Sequence, residues 1–195
     1  MNPETLVQVY QHPLLSAGDL DQICDAHRLL EYQKGDFLLQ KGQIANEYYV
    51  VEEGLVRSYV HDFEGNEITT GFAGNHQVLI EVASIFSRTP TQENIQCLTN
   101  SRLWKIDYER FQELFHLVPA IREWGRAWMS AELYRYKTRV TEMITLPATK
   151  RYLQLLAETP QIIQQAPLKL IASYLGITDT SLSRIRKEIA EARVT

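Results

Sequence analysis

Apolar residues recur at helical spacing near both ends of this chain and in short, interrupted runs through its middle. From Leu14 to Leu30 the stripe Leu20, Ile23, Cys24 and Leu30 predicts a helix, with Ser16 as its cap and Asp19 in its first turn. Gly35 breaks that pattern. Between Asp36 and Asp107 the texture becomes strand-like. Its runs are Phe37–Leu39, Tyr48–Val51, Leu55–Val60, Ile68–Phe72, Val78–Ile80, Asn94–Leu98 and Leu103–Ile106, with Gly or Asn in the breaks. Close-set short strands with turn signals between them predict a small antiparallel barrel or jelly roll. Phe63-Glu64-Gly65-Asn66 reads as a hairpin turn, and Glu81–Phe86 as a helical interruption.

Helical periodicity returns at Tyr108–Leu117, with Phe111, Leu114 and Phe115 on one side. Pro119 suits the first turn of a new helix that runs to about Thr145. Ile121, Trp124, Trp128 and Ala131 are at heptad-like spacing, and Leu133, Tyr136, Val140 and Ile144 continue the stripe. A helix of about 25 residues spans roughly 37 Å, more than a domain of this size buries alone. Part of its stripe is therefore expected to meet the same helix of a second chain. Leu146-Pro147 ends it, a further helix covers Lys150–Glu158, Thr159-Pro160 closes that one, and Gln161–Ala166 reads as a polar link.

The stretch from Pro167 to Lys187 then predicts two helices joined by a tight turn. Leu168, Ile171, Ala172 and Leu175 give the first its apolar face, and Leu182, Ile185 and Ile189 the second. Ala172 allows a close helix crossing, Gly176 can end a helix in the left-handed conformation, and Thr178 can cap the next one. The second helix keeps Thr180, Ser181, Arg184 and Lys187 on its other side. This is the pattern of a DNA-binding helix-turn-helix, whose second helix lies in the major groove. Arg184 is the candidate base reader, because a guanidinium grips guanine O6 and N7.

Charge changes this picture little. The net charge is −4, but from Pro147 onward seven Lys/Arg face four Asp/Glu, against 13 basic and 20 acidic residues in the remainder. A basic tail on an acidic body suits a phosphate-binding end attached to a domain with another task. Cys24 and Cys97 are too few for a disulfide framework or a four-cysteine iron–sulfur cluster, and both read as small buried hydrophobes. His12, His27, His61, His76 and His116 show no ligand spacing, so no metal or cofactor is expected. No nucleophile–base pair or phosphate loop suggests an enzyme. The start Met1-Asn2-Pro3-Glu4-Thr5 lacks the features of a signal peptide, and no apolar run would span a membrane, which together suggest a cytoplasmic protein.

A helix, a Gly-punctuated barrel, a long helix and a C-terminal helix-turn-helix, in that order, resemble the Crp/Fnr family of bacterial transcription regulators. The most specific part is Ile171–Thr178 followed by Ser181–Lys187, which is similar to the subgroup common in Bacteroidetes; Gly35, Gly42, Gly54 and Tyr48–Gly54 carry the barrel match. The resemblance implies an α+β chain. Residues 1–118 would form a cyclic-nucleotide-binding-like sensor barrel, 119–146 a dimerisation helix and 147–195 a helix-turn-helix domain. It implies a homodimer on double-stranded DNA, with a small-molecule effector and RNA polymerase as further partners. Family register places Asp179 and Thr180 at base-facing positions beside Arg184, and Thr178, Ser181 and Lys187 are expected at phosphates. Asp179 also suits the helix N-terminus. Nucleotide-binding members hold the cyclic phosphate with Gly-Glu and, about ten residues on, Arg-Ser. Here those positions are Ile80-Glu81 and Thr91-Gln92. Glu81 keeps the ribose contact, but a buried phosphate would lack its cation, so cyclic AMP is not expected to bind in the usual way. Arg88, nearby, reads as an exposed loop residue, and Glu191–Thr195 as too short for the β-hairpin wing many members add. The rival reading is a ligand sensor that acts through protein contacts without DNA.

Overall fold

The computed structural model describes residues 3–192. Eight antiparallel strands form two facing four-stranded sheets. One sheet runs β1 (Arg28–Tyr32), β8 (Ser101–Asp107), β3 (Glu47–Glu53), β6 (Val78–Leu79). The other runs β2 (Phe37–Leu39), β7 (Asn94–Cys97), β4 (Val56–His61), β5 (Glu67–Ala73). This is the expected jelly roll. Val50, Val56, Ile95 and Leu103 are buried between the sheets. Two short helices, α1 (Glu4–Val9) and α2 (Ala17–Ala26), and α4 (Tyr108–Leu117) extend that core with Leu6, Tyr10, Ile23, Phe111 and Leu114. A one-and-a-half-turn helix, α3 (Val82–Ser87), interrupts the strands.

Two of the turns show why their residues are there. Asp62 Oδ1 accepts from the backbone N–H groups of Glu64 and Asn66, at 2.9 and 2.8 Å, and so fixes the β4–β5 hairpin. Gly54 has φ +115°, and a Cβ there would lie 2.9 Å from the Ser101 Cα, so both conformation and space demand glycine.

The N-terminal helix is shorter than the stripe suggests. Ser16 and Asp19 form a capping box as expected, but the helix stops at Ala26 and Leu30 lies in β1, paired with Leu103. Five paired positions with β8 outweigh the helical spacing that reaches Leu30. His27 marks the stop and joins a buried polar chain. Its Nδ1 donates to the Ile23 carbonyl at 2.7 Å, so its Nε2 accepts from the Tyr10 hydroxyl at 3.1 Å. The Tyr10 and Tyr48 hydroxyls are 2.6 Å apart. Burial pulls the His27 pKa down to about 4, against a smaller opposing effect of the Ile23 carbonyl. The unfolded chain takes up this proton near pH 6.5, while the folded one holds off until about 4. Stability conferred by neutral His27 is therefore complete above pH 6.5 and is lost as pH falls toward 4, by up to about 3 kcal/mol. Denaturant melts across that range should show the loss, and His27→Gln should remove this step from the pH profile.

Beyond the barrel, α5 runs Pro119–Thr145 and α6 Ala148–Glu158. The expected polar link is instead a helix, α7 (Pro160–Gln165), started by Pro160 and anchored by buried Ile162. The helix-turn-helix follows as α8 (Leu168–Tyr174) and α9 (Asp179–Ala192). Tyr152, Leu155, Ile162, Ile171, Ala172, Leu175, Leu182 and Ile185 form its core. One member of that core comes from the barrel: Leu55, between β3 and β4, is fully buried in it, with Phe72 and Leu98 packed alongside.

The α8 helix lies along β5. Ser173 Oγ accepts from the Thr69 N–H at 2.9 Å. From α7, Gln161 Nε2 donates to the Gly54 carbonyl at 2.8 Å. Arg139 of α5 spans the same junction, donating to the carbonyls of Thr70 and Tyr174 and lying 3.9 Å over the Tyr174 ring.

Candidate DNA interface and effector pocket

Gly176, with φ +65°, turns the chain between α8 and α9, and Thr178 caps α9 by accepting from the Ser181 N–H at 3.2 Å. Leu182 and Ile185 face inward, which leaves Thr180, Arg184 and Lys187 on the solvent side. Arg184 is exposed and has no hydrogen-bond or ion-pair partner among the described residues. Lys187 Nζ lies 3.8 Å from Glu191 Oε1, a loose exposed pair worth little.

Asp179 turns its carboxylate onto the helix start, accepting from the Thr180 N–H at 2.9 Å. That matches its suitability for a helix N-terminus more than a base contact. The hydroxyls of Thr178 and Ser181 are 2.9 Å apart and share one proton between them, so one donor remains to the pair. Arg186 is also exposed on α9, a cation not assigned a role from the sequence. Glu191 and Ala192 complete α9. Arg193–Thr195, the rest of the segment expected to be too short for a wing, lie outside the described residues, as do Met1 and Asn2.

The α5 stripe divides into two faces. Ile121 and Trp124 are buried, and Trp128 is half-buried, against the chain's own barrel, where Trp124 Nε1 donates to the Val9 carbonyl at 2.9 Å. The heptad-like spacing of these residues therefore serves the barrel. Farther on, Met129, Leu133, Tyr136, Val140 and Met143 are exposed, Leu133 at 72%. Their steps of four, three, four and three residues are those of a coiled-coil seam.

The barrel pocket brings the expected effector residues together only in part. Glu81 caps α3 through the Ser84 N–H and lines an open cavity of about 660 Å³ with Leu39, Tyr49, Leu79 and Ile95. Thr91 and Gln92 do not line it. Thr91 is buried and its hydroxyl accepts from the Glu93 N–H at 3.0 Å, while Gln92 is exposed. Arg88 is held elsewhere, donating to the Ala45 carbonyl and to Asn46 Oδ1 at 2.8 and 2.6 Å, 4.7 Å over the Tyr108 ring.

Glu93 stands where the sequence alone gave no warning. Burial raises its carboxyl above the usual range, the Thr70 hydroxyl opposes this, and the nearby Glu81 charge adds to the rise. No Lys or Arg lines the cavity, which carries Glu47 and Glu81. A cyclic phosphate does not fit this donor set.

Residues 29–117 match the cyclic nucleotide-binding domain family. The chain is 25% identical over 111 residues to a cAMP-dependent protein kinase type II regulatory subunit of Drosophila melanogaster, covering 57% of this chain and 28% of that protein. It is 29% identical over 185 residues to electron transport regulator A of Shewanella oneidensis, covering 88% of this chain and 72% of that protein. A Eubacterium rectale protein assigned to the Crp/Fnr transcriptional regulators superposes with a TM-score of 0.70 at 18% identity, over 94% of this chain and 88% of that one. None of the described helices is long and apolar enough to cross a membrane. The chain thus has the fold of a cyclic nucleotide-binding β-sandwich domain with flanking helices and a long helix, as in structures of the Crp/Fnr regulators.

Proposed function

We propose that this protein is a homodimeric, sequence-specific DNA-binding transcription regulator of the Crp/Fnr type, in the subgroup its helix-turn-helix resembles. The observation that carries the reading is α9, which buries Leu182 and Ile185 and leaves Arg184 exposed and unpartnered among the described residues. A guanidinium held on a helix face with nothing of its own to bind is suited to a base edge. The exposed seam of α5 supports pairing through residues 119–146, which would set two such helices apart for two half-sites. The barrel is a sensor whose effector is not a cyclic nucleotide held in the usual way. RNA polymerase is the partner through which such a regulator would act.

Selecting DNA sequences enriched by the purified protein tests this directly: a recurrent two-fold-symmetric site is expected. No enrichment, with the protein folded and dimeric, would favour the ligand sensor that works through protein contacts. Within the site the roles separate. Arg184→Ala should cost about 1–3 kcal/mol at one base position and relax specificity there. Lys187→Ala should weaken all sequences alike and lower the salt slope by about one. Equal effects of the two substitutions on every sequence would reverse these assignments.

A further inference from the structure

The strongest unassigned feature lies where barrel, long helix and helix-turn-helix meet. A cleft of about 490 Å³ is walled by Thr70–Phe72 of β5, by α5 around Arg139, by Arg151 and Gln154 of α6, and by Tyr174 of α8. Its size is within the range of small-molecule sites, which favour the junctions between domains. It lies outside the barrel-edge cavity lined by Glu81.

Its chemistry narrows the ligand. The Arg139 guanidinium carbon lies over the Tyr174 ring, 3.9 Å from its centroid, held there by two backbone carbonyls, and a planar guanidinium offers a stacking surface. Arg151 spends both terminal nitrogens on the carbonyls of Leu146 and Leu175, and its Nε is buried without a partner. Gln154 donates to Glu142 Oε1 at 3.1 Å, and its Oε1 is likewise buried without a partner. One orphan donor and one orphan acceptor thus stand three residues apart on one face of α6. Leaving such groups unmet costs about 1–3 kcal/mol each.

Charge in the cleft balances. Arg135, Arg139 and Arg151 face Glu132, Glu142 and Glu158, and Arg135 pairs with Glu132. A ligand with net charge would be uncompensated there.

We propose that this cleft binds an uncharged planar ring with an amide-like edge, a hydrogen-bond acceptor beside a donor, as on a lactam or an aromatic carboxamide. The acceptor meets Arg151 Nε, the donor meets Gln154 Oε1, and the ring stacks against the Arg139 plane. Because the walls belong to both the barrel and the helix-turn-helix, occupancy sets how firmly the two are docked. Its consequence for DNA rests on the function proposed above; the binding itself does not.

Guanosine and nicotinamide, titrated calorimetrically into the full-length protein without DNA, test the site, with benzoate and cyclic AMP as anionic controls. At least one neutral probe should bind, benzoate and cyclic AMP should not, and Gln154→Met should weaken binding about tenfold at unchanged Tm. Amide spectra of the wild-type protein provide a second readout if the variant does not fold: the Gln154 side-chain signals should move on titration. Binding of neither probe, stronger binding of an anion, or a Gln154→Met protein that binds as before would overturn the proposal. A probe that binds without altering DNA affinity would leave the site standing and sever only its link to DNA.

Discussion

Leu133→Glu combined with Val140→Glu should leave a folded monomer with a 10²–10⁴-fold loss of affinity for a two-half-site operator. Both side chains are exposed, at 72% and 59%, so neither contributes to the chain's own core. Surface changes of this kind typically alter the stability of a single chain by less than about 0.5 kcal/mol. In the proposed dimer the two positions repeat across a two-fold axis, and four carboxylates would crowd a seam that otherwise buries Met129, Leu133, Tyr136, Val140 and Met143. The affinity loss follows from geometry. With both helix-turn-helix units joined, the second half-site binds as an intramolecular event, and a monomer forfeits that advantage. Sedimentation equilibrium and binding to paired and single half-sites would check the two parts separately. A double variant that stays dimeric would remove α5 as the interface. A monomer that binds the full operator as tightly as before would remove the two-half-site reading.

The elements legible in the sequence are those whose ends carry their own chemistry. Tyr108–Leu117 and Pro119–Thr145 emerge with the boundaries their apolar period and the two prolines, Pro119 and Pro147, imply. Gly176 and Thr178 place the turn before α9 for equally local reasons. Strand β1 is hidden because Leu29 and Leu30 continue the helical spacing of the preceding stripe and no Gly or Pro intervenes before Gly35. Its strand state comes from β8, about 70 residues further along the chain. Helix α7 is hidden because Gln161, Gln164 and Gln165 read as a link, while Ile162 finds its core only in the assembled domain.

The candidate site divides the same way. Thr178, Arg184 and Lys187 are placed by one helix and its cap, so their positions follow from the sequence. The pocket is placed by several strands, and neither the burial of Thr91, the partial burial of Glu93 nor the cleft at Arg139 leaves a local trace. The long helix shows both cases. Its apolar period is visible along its length, but only the fold reveals that Trp124 and Trp128 turn to the barrel while Leu133 and Val140 turn outward.

Leu55→Ala should cost about 2–5 kcal/mol, and the cost should fall on the docking of α6–α9 against the barrel. Leu55 follows Gly54 in a turn whose backbone is fixed independently of the side chain. Its N–H donates to Thr99 Oγ1 and its carbonyl accepts from the Leu98 N–H, both at 2.8 Å. Removing the side chain therefore leaves a cavity that the backbone cannot close. That cavity opens into the core of Ile171, Leu175 and Leu182, not into the barrel interior around Val50 and Leu103. The polar ties that run directly from α7 and α8 to the barrel, Ser173 to β5 and Gln161 to the Gly54 carbonyl, are part-exposed bonds worth about 1 kcal/mol each, too little to replace Leu55 even beside the bridge that Arg139 makes from α5. Melting should then separate into two transitions, with α6–α9 losing hydrogen-exchange protection at lower temperature than β3 and β8. Leu55→Met, close in volume, should restore a single transition. If Leu55→Ala instead lowers one shared transition and exchange in α8 keeps pace with exchange in β3, then Leu55 serves the barrel alone, and the two parts are held together by α5.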